Sequence, residues 1–317
     1  MHRTRILALF PMLALATTTA TLGSASTGCD IVNLTVNTTA KVLTRAKPSL
    51  NMEADYELAA RAIPGTLKTI EGFHVANPDN EMLVALLAEG YCQYGTAFVE
   101  DEWEVADLEN RREDSAYHSR RASKMFIRCT NYALDLLGKS WRDNIYGDFD
   151  KIKGMIDRAG YDQRNALMWA AIGLASTINQ NKDNVSLIAQ LPTAKAMLDR
   201  VVILDDKNNN RNLALRALPH VALGMFYSSM APALGGKPKE AQAHFERALE
   251  LTGNKYLLAR TLMARRIGVM TQNKELFRKE LLEVLKTNPA VWPEQRLANE
   301  VAHRRARRYL KFEKEWF

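Results

Sequence analysis

Three sets of residues in this chain have types that could do chemistry: three cysteines, a glycine doublet beside a lysine, and six scattered histidines. Cys29 stands in "SASTGCD", where a small residue and a glycine precede it at the end of an apolar leader. That is the setting in which a bacterial export signal is cut and the cysteine acylated, although Ser26 occupies a position where Leu is usual. Cleavage near Ala25 is the alternative. Several acyl chains on Cys29 would hold the chain on a membrane surface without a transmembrane helix. Cys92 and Cys129 could pair in an oxidising compartment, but sequence cannot bring their Cα atoms within bonding distance. We read them as two buried small hydrophobes.

The doublet lies in "LGGKPKEAQAHFERALELTG", Leu234 to Gly253. A phosphate cradle needs a strand before the glycines and Lys-Ser or Lys-Thr opening the helix after them. Here Lys237-Pro238 follows and no strand-like run precedes, so the doublet is read as a turn between packed helices, with Pro238 in the first turn of the second. At least one of the two glycines should take positive φ. No two histidines share the i, i+4 spacing of a helical zinc site, and Glu240 with His244 reads as a surface pair. A Gly-x-Ser-x-Gly elbow is missing, and no carboxylate sits alone in apolar sequence. The expectation is a protein that is not an enzyme and takes neither metal nor cofactor.

The elements that must position these residues are helices. Beyond residue 50 nearly every segment has helical spacing and none alternates as a strand does. The expected fold is all-α. Four segments suggest tetratricopeptide-like helix pairs. In the clearest, Leu223, Gly224 and Tyr227 precede Ala241, Phe245 and Ala248. Weaker copies place Leu87, Ala88 and Tyr91 before Ala122, Phe126 and Cys129, and Trp169, Ile172 and Gly173 before Ala194, Leu198 and Val201. The last gives Phe277, Leu281 and Val284, closed by Pro289. Residues 1–28 are expected to be a signal peptide of lipoprotein type, 29–47 an Asn/Thr-rich tether, and 48–317 an α-solenoid domain. The final helix, rich in arginine, would cap an open stack with a solvated outer face.

With 317 residues, 47% of them hydrophobic, the chain can bury a large core. Its formal charge of +7 falls by two when the leader's Arg3 and Arg5 are removed. The acidic run Glu100 to Glu109 is expected to meet Arg111, Arg112, Arg120, Arg121, Lys124 and Arg128 on the following helix. So mild a surplus, in an exported protein, argues against nucleic acid as a partner. Trp103, Trp141, Tyr146, Tyr161 and Trp169 fall in the first half. Most should be core, but Trp141 and Tyr146, in "GKSWRDNIYGDFD", sit on no periodic face and are the candidate ligand or partner contacts.

From about Glu53 to Phe317 the chain resembles the T component of tripartite TRAP transporter systems, the TatT family. The resemblance is carried by "DYELAARAIPGTLKTIEGF", "NPDNEMLVALLAEGYCQYGTAFVEDE", "ALMWAAIGLASTIN", "LGGKPKEAQAHFERALEL" and "LANEVAHRRARRYL". It implies a periplasmic, tetratricopeptide-like lipoprotein acylated on Cys29, trimeric, and associated with a substrate-binding P component that feeds a membrane permease. It also implies a docking subunit that handles a small, partly apolar ligand. A general cell-envelope adaptor for peptides or assembly machinery is the other reading of such a surface.

Overall fold

A computed structural model describes the backbone of residues 27–317 and the side chains from Ile31 onward. The leader, apart from its last two residues, and the side chain of Cys29 lie outside the described residues. Among the described residues the chain is helical throughout, without strands, as expected.

The first departure comes at once. The segment read as a tether belongs to helix α1, Thr27–Asn51. Its Asn and Thr residues suggested a loop, yet Thr35, Thr38 and Thr44 each donate to the carbonyl four residues back, at 2.8–2.9 Å. Val36 and Ala40 make a narrow stripe that is buried against the next two helices, α2 (Tyr56–Ala76) and α3 (Glu81–Tyr94). Asn37 Oδ1 accepts from Asn77 Nδ2 at 3.1 Å and Asn80 Nδ2 at 2.6 Å, so it ties α1 to the α2–α3 turn.

The chain continues through a π-helical turn, Gly95–Val99, into α4 (Glu100–Leu108), then α5 (Arg112–Leu137), α6 (Lys139–Asn144) and α7 (Phe149–Arg158). After these come α8 (Arg164–Asn179), a short α9 (Val185–Ile188), α10 (Leu191–Asn208) and α11 (Leu213–Tyr227). Last are α12 (Pro238–Leu251), α13 (Leu257–Met270), α14 (Lys274–Lys286) and α15 (Arg296–Lys311). Helix starts follow local chemistry: the side chains of Asp55, Asn80, Asp148, Asn184, Asn212 and Asn273 accept from backbone amides of the first turn. Each such cap stabilises its helix by about 1 kcal/mol.

Helices pack both on sequence neighbours, as α11 on α12, and across short intervening helices, as α5 on α8, and small residues set the distance. A Cβ on Gly224 would stand 2.8 Å from the Phe245 ring, so α11 and α12 approach to where only glycine fits. The pair is antiparallel: the Lys237 amide donates to the Tyr227 carbonyl at the turn, and His220 meets His244 two helical turns further in. Glycine meets phenylalanine in the same way at Gly95–Phe126 and Gly268–Phe277. In the third expected pairing α8 does pack on α10, but its Gly173 meets Thr130 and the Phe126 carbonyl of α5, with α6 and α7 intervening in sequence. In the turn, Gly235 has φ +96°, as expected, and Gly236 passes so close to the Met230 carbonyl that any side chain would collide with it.

Two expectations are corrected. Cys92 and Cys129 form a disulfide joining α3 to α5, with Cα atoms 5.3 Å apart, because successive turns of two closely packed helices bring them together. And α15 does not cap an open stack. It packs on α13 and α14 and also returns to α1 and α2, so that the two ends of the chain meet. Arg305 and Arg308 are buried rather than solvated. Asp101, on α4 and 1% exposed, takes Arg304 Nε and Arg305 Nε at 3.1 Å and Arg308 Nη2 at 2.7 Å. Arg305 also donates to the Thr96 carbonyl at 2.6 Å, Arg308 pairs with Glu104, and Tyr309 donates to Glu104 at 2.9 Å. The acidic run therefore divides. Glu102 meets Arg121 of α5 at 2.8 Å as expected, while Asp101 and Glu104 face α15.

Candidate functional site

Closure of the ends leaves a cavity of about 1100 Å³, larger than most small-molecule pockets, between α1, α2, α3, α8, α11, α13 and α15. The sequence builds its wall by making some helices apolar all round, the pattern of an element covered on every side. In α11, Ala217 and Gly224 face α12, while Leu218, Ala222 and Met225 at i, i+4 and i+7 look into the cavity. In α8, Leu167, Ala170, Ala171 and Leu174 are core, and Trp169, Ile172 and Ala175 line the chamber. Leu67 and Ile70 of α2, and Leu297 and Val301 of α15, complete the apolar surface.

The polar lining is sparse. Lys47 and Glu89 neutralise each other at 3.0 Å. Glu100 accepts from Gln180 Nε2 at 3.1 Å; burial pushes its carboxyl up, against the pull of Arg305 and Arg266. Lys182 is held down by burial and by the nearby Arg266 charge. Arg305 is committed to Asp101 and Thr96. Among the described residues no three His, Cys, Asp or Glu side chains gather as metal ligands. His220 and His244, from different helices, meet at Nδ1–Nδ1 3.1 Å across the α11–α12 joint, and burial drives His220 down to about 4, so this pair is neutral.

The aromatic residues named from sequence divide as well. Trp141, in α6, is buried in the main core, and Tyr146, just beyond it, is 52% exposed; neither lines the cavity. Trp169 does, together with Trp292, Tyr94 and Phe226. The signals that could have found the lining were all-round apolarity in α8 and α11, and Arg266 following the buried run 262–264 of α13.

The profile of the TRAP transporter T-component family matches residues 52–317. The chain belongs to that family. Of the helices that enclose the cavity, all but α1 fall within the match. The chain is also similar to an uncharacterized protein of Treponema pallidum (strain Nichols), 24% identical over 260 residues that cover 80% of this chain and 78% of that one. The family is a component of a transporter rather than an enzyme, and no described helix is long and apolar enough to cross a membrane.

Proposed function

We propose that this T component is a periplasmic lipoprotein, anchored through Cys29, that docks a substrate-binding P component and holds a small, partly apolar ligand in the central chamber. The chamber carries the reading. A mainly apolar space of about 1100 Å³ keeps hydrophobic surface in contact with water, which costs free energy that an apolar occupant would recover. A protein that only displayed a docking face would gain stability by filling it. The disulfide agrees with an oxidising compartment outside the cytoplasm. A homotrimer, as the resemblance implies, would set three such chambers side by side.

Affinity capture from solubilised envelopes, with mass spectrometry of proteins and small molecules, tests the proposal. The expected result is a solute-binding protein and an organic ligand recovered together. Recovery of neither rejects it. Cys29→Ala should move the protein from the membrane pellet to the soluble envelope fraction, and retention in the pellet would remove the lipid anchor.

A further inference from the structure

The charges along one wall of the chamber do not balance, and this bears on what the chamber holds. Arg266, on α13, lines the cavity and is half-buried, yet it forms no ion pair or hydrogen bond among the described side chains. The arginines beside it are committed. Arg265 lies over the Trp316 ring at 3.9 Å, and Arg305 is spent on Asp101 and Thr96. Lys182, also on the lining, is likewise without a partner among the described residues and is close enough to Arg266 for each to raise the cost of the other's charge. Glu100, the acid facing them, is already held by Gln180, and the lining also carries the exposed Arg211 and Glu294, while the exposed Asp107 lies near Lys182. With Arg305 committed to Asp101, three cations, Lys182, Arg211 and Arg266, therefore face two acids, Glu100 and Glu294, while the Lys47–Glu89 pair elsewhere on the lining is internally neutral.

Resting on the reading that the chamber takes a partly apolar ligand, we infer that this ligand is an amphipathic monoanion whose head group pairs with Arg266 and Lys182. Its chain would run along Leu218, Met225, Phe226, Leu262 and Trp169, which line the same space. Arginine suits the task because its planar fork grips a carboxylate through two parallel hydrogen bonds, and the low dielectric of an enclosed site strengthens them. A neutral apolar ligand would leave the surplus charge unanswered, and a cation would be repelled.

The test is calorimetric titration of the full chain with decanoate, decanol and decyltrimethylammonium at pH 8. Decanoate should bind at least ten-fold more tightly than decanol, and the ammonium most weakly. Arg266→Gln should abolish the advantage of decanoate while leaving decanol unchanged, and Arg266→Lys should keep part of it. Since Arg266 has no partner to lose, its melting temperature should hold. Glu100→Gln gives a second, independent reading: with the competing carboxylate gone, decanoate should bind several-fold more tightly. Equal binding of decanoate and decanol by the native chain, or an unchanged preference in both variants, overturns the head-group assignment and leaves the apolar chamber standing. If none of the three probes binds, the chamber reading itself fails.

Discussion

The α11–α12 joint and the α15–α4 closure both hold helices together, but they do so by opposite means. At the joint, Gly224 admits the Phe245 ring, Ala241 and Ala248 lie beside it, and the contact is apolar and local, within about twenty residues of sequence. At the closure, one buried carboxylate gathers three guanidinium groups from roughly two hundred residues away. The joint is stable if each half is merely the right size. The closure is stable only if every partner is present, because a buried charge without its counter-charge costs more than the pair returns. Substitution should therefore be graded at the joint and abrupt at the closure.

The largest effect is expected at Asp101. Asp101→Ala leaves Arg305 and Arg308 buried with Glu104 as the nearest acid, and should destabilise the protein by roughly 3–5 kcal/mol. Urea unfolding measures this. A loss below about 1 kcal/mol would mean that the closure is wet and the ends hold by apolar contact alone.

Next is the disulfide. It closes a loop of 37 residues, which corresponds to about 4 kcal/mol of unfolded-state restriction at most. Cys92→Ala with Cys129→Ala should lower the unfolding free energy by about 2–4 kcal/mol while the helical circular dichroism stays native. An unchanged urea midpoint would show that the α3–α5 packing already does the work of the bond.

Acid gives a titration of the same closure without mutation. Burial raises the Asp101 carboxyl, but Arg305, Arg308 and Arg304 outweigh it and hold it at about 2, below its ordinary 3.8. A depressed carboxylate contributes stability that is present above its unfolded pKa and disappears as pH falls through the folded one. The protein should lose about 2 kcal/mol between pH 4 and pH 2 through this group, and Asp101→Asn should flatten that part of the curve. If the variant and the native chain lose stability in parallel, the acid sensitivity lies elsewhere.

These contrasts also explain what could be read from the sequence. Phe245, Ala241 and Ala248 repeat at helical spacing, so packing at the joint leaves a periodic trace in the chain. The same holds for the all-α character. Charges leave no such trace. Nothing in "EDEWEVADLE" distinguishes Asp101, which meets α15, from Glu102, which meets Arg121, beyond their directions on α4. Cys92 and Cys129 depended on the approach of two helices whose separation no spacing encodes. In α1, polar residues that satisfy their neighbours, Asn37 above all, look in sequence like polar residues of a loop. The chamber was hidden for a related reason: Trp169 lines a space and Trp141 fills one, and helical spacing cannot tell the two apart.

The smallest effect separates backbone shape from space within the joint itself. Gly235 sits at φ +96° with nothing within 4 Å of where a Cβ would be, so a substitution there meets no atom and is opposed only by the left-handed conformation. Gly235→Ala should cost about 1 kcal/mol, and Gly235→Asn less, because asparagine tolerates positive φ better than alanine does. Gly224→Ala reverses the logic. Its backbone is ordinary helix, where alanine is favoured by up to about 1 kcal/mol, but the added methyl would stand 2.8 Å from Phe245. That penalty should disappear when Phe245 is shortened to Leu, whereas the cost of Gly235→Ala should not change. Thermal melts of Gly224→Ala, Gly235→Ala and Phe245→Leu, and of the two doubles that carry Phe245→Leu, would resolve the two cases. If Phe245→Leu rescued Gly235→Ala as well, the turn and the helix contact would be one mechanical unit, and the joint would share the all-or-none character of the closure.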